Sequence, residues 1–244
     1  MNAIETHALS KKYKERTAVQ SLDLSIRQGE VFGLLGVNGA GKTTTIRMLA
    51  CLTKPTSGDA TILGKNILTE PQAVKAIINL SPQETAVAPN LSVTENLELI
   101  AGIYGNSRQS AKDKVTRIVK SLGLAEVQQD KAKILSGGWQ RRLSIAMALI
   151  SEPKILFLDE PTLGLDVLAR RELWGIIEKL KGEMTIILTT HYLEEAQALS
   201  DEIGIMAKGQ LKALGTAPEL ISLTGAQNFE DAFVALATEG EVAI

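Results

Sequence analysis

The chain has 244 residues, of which 45% are apolar, 22% charged and 4% aromatic, and 26 Lys+Arg against 28 Asp+Glu give a formal charge of −2. So many aliphatic residues exclude a disordered chain and can fill a substantial core, while balanced charge excludes a general nucleic-acid coat, which needs a basic excess. The single cysteine, Cys51, excludes an internal disulfide or a cysteine metal cage, so a reducing compartment is expected.

The N-terminal segment MNAIETHALSKKYKER carries charges where a secretion signal needs an apolar centre. Within it, Ile4 to Leu9 reads as a strand paired with the alternating Leu22, Leu24 and Ile26, and His7 as a structural residue of that strand. VFGLL (31–35) is a buried strand, followed by a Gly-rich turn and a helix from about Lys42 to Leu52. Further apolar runs at 61–63, 77–80, 155–159, 185–190 and 203–206, several separated by helical patterns, predict an α/β core with a mainly parallel sheet.

Residues of about 85–150 have a different texture. Ser92 and Glu95 form a capping box ahead of Leu97, Leu99, Ile100 and Ile103. A second helix runs from Ala111 to Leu122 and stops at Gly123, and a third begins near Ser136 and carries Leu143, Ile145, Ala148 and Leu149. This segment reads as a helical lobe inserted into an α/β domain spanning 1–224, with 225–244 as a short C-terminal tail. The most apolar stretches, IAMALI (145–150), ILFL (155–158) and TIIL (185–188), fall short of the roughly 18–20 residues a membrane span requires. A membrane role would therefore need spans from another chain.

GVNGAGKT, Gly36 to Thr43, fits the phosphate-loop pattern G-x-x-x-x-G-K-[ST]. Gly36, Gly39 and Gly41 let the backbone curl so that the amides of Val37, Asn38, Ala40, Lys42, Thr43 and Thr44 can surround one anion at a helix N-terminus. Lys42 is placed to reach the β- and γ-phosphates, and Thr43 to bind Mg²⁺. ILFLDE supplies the carboxylates that such a loop needs on a neighbouring strand: Asp159 for the metal and Glu160 for the attacking water. His191 ends the strand TIILTT, where open α/β sheets present ligand groups, and can hydrogen-bond a γ-phosphate. In LSGGWQ, Ser136 is an N-cap, and Gly137 and Gly138 leave bare amides, making a second anion-binding helix terminus; alone, the motif would read as a capped Ser-Gly-Gly turn.

With these motifs in this order, the chain resembles the ATP-binding cassette (ABC) ATPases over nearly its whole length, and LSGGWQ resembles that family's signature. The resemblance implies a P-loop NTPase core with an N-terminal antiparallel β subdomain and an inserted helical lobe, using ATP and Mg²⁺. It implies a head-to-tail dimer of two copies, each ATP lying between one phosphate loop and the other chain's Ser136, Gly137 and Gly138, with Asp166 in GLD crossing the seam. It assigns Gln83 in LSPQE to Mg²⁺ and the attacking water, and Tyr13 to stacking on adenine. The cations beside Tyr13, Lys11, Lys12, Lys14 and Arg16, read as a solvated face. Val37 replaces a frequent proline at a position that contributes only backbone, and Trp139 replaces a smaller or polar residue at the dimer seam or a membrane contact.

Soluble members of DNA repair, chromosome structure or translation fit poorly. Gln83 and Ser136 are too close for an inserted coiled coil, one cassette is present rather than two, and one cysteine cannot build zinc modules. GVNGAGKTTTIRML, PTSGDATILG, EPTLGLDVLARRELW and TTHYLEEA are similar to the bacterial drug- and polyketide-exporter branch, with an importer as the alternative. The implied role is an ATPase subunit on the cytoplasmic face of a membrane, driving a separate permease, with no nucleic-acid partner.

Overall fold

The computed structural model describes residues 1–238. Two sheets share one core. The strands β1 (Asn2–Tyr13), β2 (Arg16–Arg27), β4 (Ser57–Ile62) and β5 (Lys65–Asn66) form an antiparallel sheet in the order β2-β1-β4-β5. The strands β3 (Val31–Leu35), β6 (Ile78–Ser81), β7 (Ile155–Asp159), β8 (Thr185–Thr190), β9 (Glu202–Ala207) and β10 (Gln210–Gly215) form the second, ordered β10-β9-β3-β8-β7-β6. All of its pairings are parallel except β10 against β9. Helices α1 (Lys42–Leu49), α2 (Pro71–Lys75), α3 (Val93–Ile103), α4 (Arg108–Ser121), α5 (Gly137–Leu149), α6 (Val167–Leu180), α7 (Leu193–Leu199), α8 (Ala217–Thr224) and α9 (Phe229–Thr238) complete the described chain.

Every residue of β3, β7 and β8 is buried, which is why these strands lack the apolar/polar alternation of a half-exposed strand. One face of the second sheet packs Phe32 and Phe157 against Ile46 of α1 and against Ile4, Leu22 and Ile26 of the antiparallel sheet. The other face packs Leu156 and Leu188 against Leu97, Val115, Leu143 and Ile177 of α3 to α6. The capping box at Ser92 and Glu95 is formed, and Gly123, in the left-handed region, follows α4.

Several boundaries differ from expectation. Helix α1 stops at Leu49 because Cys51, with φ +54, turns the chain. Helix α4 starts earlier, capped by Ser107, whose side chain accepts from Ser110 N. Within the segment read as a short C-terminal tail, Phe229, Ala232 and Leu236 of α9 are buried, and Phe229 and Leu236 pack with Ile203, Ile205 and Leu220. Residues 239–244 of that tail lie outside the described residues.

The register places the chemistry. Leu35 pairs with Thr190 and Asp159 with Thr189. Because these strands are parallel, the segments leaving β3, β7 and β8 emerge side by side at one sheet edge.

Candidate active site

The phosphate loop is shaped by close backbone approach. A Cβ on Gly36 would fall 2.4 Å from the Met206 carbonyl, and one on Gly41 2.5 Å from the Ala18 carbonyl, while Gly41 also has φ +111. Neither position admits a side chain. No acidic residue occupies the first turn of α1, so its positive end faces the loop uncompensated. Lys42 is buried; its Nζ donates to the Gly36 carbonyl at 2.6 Å and lies 3.2 Å from Glu160 Oε1.

Both carboxylates at the end of β7, Asp159 as its last residue and Glu160 directly after it, are buried. Asp159 Oδ1 accepts from Thr43 Oγ1 at 3.1 Å and from Thr189 Oγ1 at 2.6 Å, tying the phosphate loop to β8. Glu160 takes φ +50, and its amide donates to the Thr189 carbonyl at 3.1 Å. Its carboxylate is shared: Oε1 faces Lys42, and Oε2 lies 2.7 Å from His191 Nδ1. The hydroxyl of Thr43 and the carboxylate of Asp159, hard oxygen donors already in contact at the foot of the loop, suit Mg²⁺.

Glu160 and His191 line a cleft of about 580 Å³ together with Tyr13, Gln83 and residues 38 to 44 of the loop, and Asp159 lies behind Thr43 rather than in the lining. Tyr13 carries the Lys11 ammonium 5.0 Å from its ring centroid. His7 sits on the exposed β1 face beside Asp59, 3.2 Å away, in keeping with a structural role.

The signature residues do not join this cleft. Ser136 is exposed at the N-cap of α5, and its hydroxyl makes no capping bond. Gln140 Nε2 instead donates to the carbonyls of Ala132 and Leu135. Gly138 packs on α6, where a Cβ would lie 3.1 Å from that of Ala169. Asp166 caps α6, accepting from Leu168 N and Ala169 N at 2.9 Å each. Trp139 lies under Arg142, whose guanidinium is 4.6 Å from the ring centroid and also pairs with Glu172.

Four residues of the site were not singled out from sequence as site residues. Thr189 anchors Asp159. Arg141, buried in α5, donates to the carbonyls of Pro82 (2.6 Å) and Gln83, so the signature helix holds the backbone of the glutamine loop. Burial depresses the Arg141 pKa, while the Asp159 and Glu195 carboxylates oppose that shift. Glu195 of α7 is fully buried and accepts from Trp174 Nε1 at 3.2 Å; burial raises its carboxyl above the usual range. Arg16 is exposed, as expected of a solvated face, and also lines the cleft.

A family model described as "ABC transporter" matches residues 19–163. The chain is 42% identical to the daunorubicin/doxorubicin resistance ATP-binding protein DrrA of Streptomyces peucetius, over 91% of this chain and 68% of that protein. It is 39% identical to the linearmycin resistance ATP-binding protein LnrL of Bacillus subtilis, over 91% and 72%. With the human phospholipid-transporting ATPase ABCA3 it shares 43% identity over 83% of this chain, but spans only 12% of that protein's length. Among solved structures, an ATP-binding subunit of an ABC transporter superposes with a TM-score of 0.84 at 27% identity, covering 96% of this chain and 99% of the other. A dimeric post-hydrolysis state of the ATP-binding cassette MJ0796, bound to ADP and Pi, superposes with a TM-score of 0.78 at 26% identity, covering 87% and 98%. The phosphate loop, the paired carboxylates at the end of β7, the histidine after β8 and this likeness together place the chain in the ATP-binding cassette family of ABC transporter ATPases, where it resembles the bacterial drug-resistance branch.

Proposed function

We propose that this chain hydrolyses ATP as the nucleotide-binding subunit of a drug-resistance-type exporter. Two copies close head to tail on ATP and reopen after hydrolysis, driving a separate transmembrane permease from the cytoplasmic face. The observation that carries the reading is the convergence of Lys42, Glu160 and His191 over the phosphate loop. Among the described residues no helix is long and apolar enough to cross a membrane. The drug-resistance names of DrrA and LnrL favour export over import.

In this reading Lys42 exchanges the Gly36 carbonyl and Glu160 for the β- and γ-phosphates. Glu160, released from Lys42, accepts the proton of the attacking water. His191 holds the Glu160 carboxylate through Nδ1 and turns Nε2 toward the γ-phosphate. Thr43, Asp159 and Gln83 would hold Mg²⁺, which would supply charge neutralisation at the phosphates. Gln83 begins the inserted lobe and ties phosphate occupancy to its position.

Glu160→Gln tests the reading. The amide keeps the carboxylate's shape but cannot accept the proton, so turnover falls about 10²- to 10⁴-fold. ATP still binds, and loss of the competing pair with Lys42 favours the closed state. The variant is expected to elute as a dimer in ATP and a monomer in ADP by size-exclusion chromatography with light scattering. Near-normal hydrolysis would remove Glu160 as the base.

A further inference from the structure

Four cations surround Tyr13 in the sequence, yet only Arg16 lines the nucleotide cleft. Lys11 is committed elsewhere, with its Nζ donating to the Lys54 carbonyl at 2.6 Å and lying over the Tyr13 ring. Arg16 is the cross-strand partner of Tyr13 at the tip of the β1–β2 hairpin. Directly paired residues project from the same face of a sheet, so the aromatic ring and the guanidinium are delivered to the cleft together. The far end of Arg16 hangs over the loop: a Cβ at Gly39 would lie 3.2 Å from its Nη2. Among the described residues no hydrogen bond or ion pair holds this guanidinium, although planar guanidinium groups pair readily with carboxylates.

We propose that Arg16 is a nucleotide-binding residue whose guanidinium contacts the α/β-phosphate part of the ligand, the part common to ATP and ADP. The inference rests on the ATPase reading above, which fixes the two ends of the ligand. Tyr13 takes the adenine, while Lys42, Glu160 and His191 surround the γ-phosphate end. Arg16 stands beside Tyr13 and above Gly39, between those ends. Its charge therefore adds to retention of nucleotide whether or not the γ-phosphate is present, and does not distinguish ATP from ADP.

The test measures ATP and ADP dissociation constants by calorimetry for Arg16→Lys, Arg16→Ala and Arg16→Glu, with the unfolding midpoint of each variant without nucleotide. A charge-assisted hydrogen bond to phosphate gives about a tenfold weakening in Arg16→Ala, equal for ATP and ADP. Arg16→Lys is expected to lose less and Arg16→Glu more, at unchanged midpoints. Unchanged affinities in Arg16→Ala would overturn the inference and leave the ATPase reading standing if the wild-type chain binds ATP. A loss confined to ATP would overturn it by moving Arg16 to the γ-phosphate. Equal losses in all three variants with a lowered midpoint would reduce Arg16 to a structural part of the hairpin. Absence of nucleotide binding by the wild-type chain would remove both readings.

Discussion

Glu160 takes a left-handed φ of +50 directly before Pro161, a conformation that costs a non-glycine residue about 1 kcal/mol. Donation of its amide to Thr189 holds that conformation, and the turn it makes carries the carboxylate back between Lys42 and His191. The pairing also lets a lysine and a glutamate stay buried without nucleotide, since neither is left bare. Phosphate therefore replaces an existing partner of Lys42 rather than filling an unmet need. Glu195 is a different case. The fold favours its protonated form because burial raises its pKa, so folding takes up a proton and stability falls as pH rises through that value. Glu195→Gln keeps the acceptor for Trp174 Nε1 and removes the ionisation. The variant is expected to melt higher than wild type at pH 8, with the gap closing toward pH 5, as followed by circular dichroism. A variant that melts lower at pH 8 would mean that the nearby Arg141 holds Glu195 ionised.

At the scale of elements, what was legible in the sequence was local. The phosphate loop, the Asp159–Glu160 pair and the capping box at Ser92 are each written in a few neighbouring residues, and β3, β7 and β8 are short runs centred on apolar residues. The rest depended on which segments become neighbours. Strand β10 was missed because its residues are only half-buried and pair as an edge against β9. Arg16 is exposed, as its run of cations suggests, but its place over Gly39 at the cleft follows from hairpin register and loop packing. Arg141 gave one faint signal, a cation in a helix that otherwise turns apolar after Arg142, but its carbonyl partners come from the start of the lobe. That link joins α5 to the glutamine loop, and Arg141→Ala would leave two carbonyls without their donor and the buried Asp159 less compensated. Urea denaturation is expected to show a loss of about 2–4 kcal/mol, with Arg141→Lys losing less because it keeps the charge. A loss below about 1 kcal/mol would show that the loop does not depend on α5.

The whole molecule carries two candidate anion sites, and the residues of the second do not line the cleft of the first. One is the cleft; the other is the start of α5, where Ser136 is exposed with its hydroxyl unused for capping. Beside it, α6 begins with Val167 and Leu168, 66% and 77% exposed, an apolar edge that a lone subunit leaves in water. The proposed head-to-tail dimer gives both features a use: the partner's γ-phosphate meets Ser136 and Gly138, and the apolar edge is covered at the seam. Ser136→Glu separates this arrangement from a cassette that works alone. The backbone there is extended, with φ −62 and ψ 161, and the side chain points to solvent, so glutamate is accommodated in the monomer. Glutamate, unlike arginine, cannot pair with a phosphate, and it sets an anion against one. In the Glu160→Gln background, Ser136→Glu is expected to keep wild-type-like ATP affinity in the subunit while abolishing the ATP-dependent dimer. Light scattering at a fixed protein concentration, with and without ATP, reads the outcome directly. Dimers that persist with the glutamate in place would mean that the second anion site does not receive the partner's nucleotide.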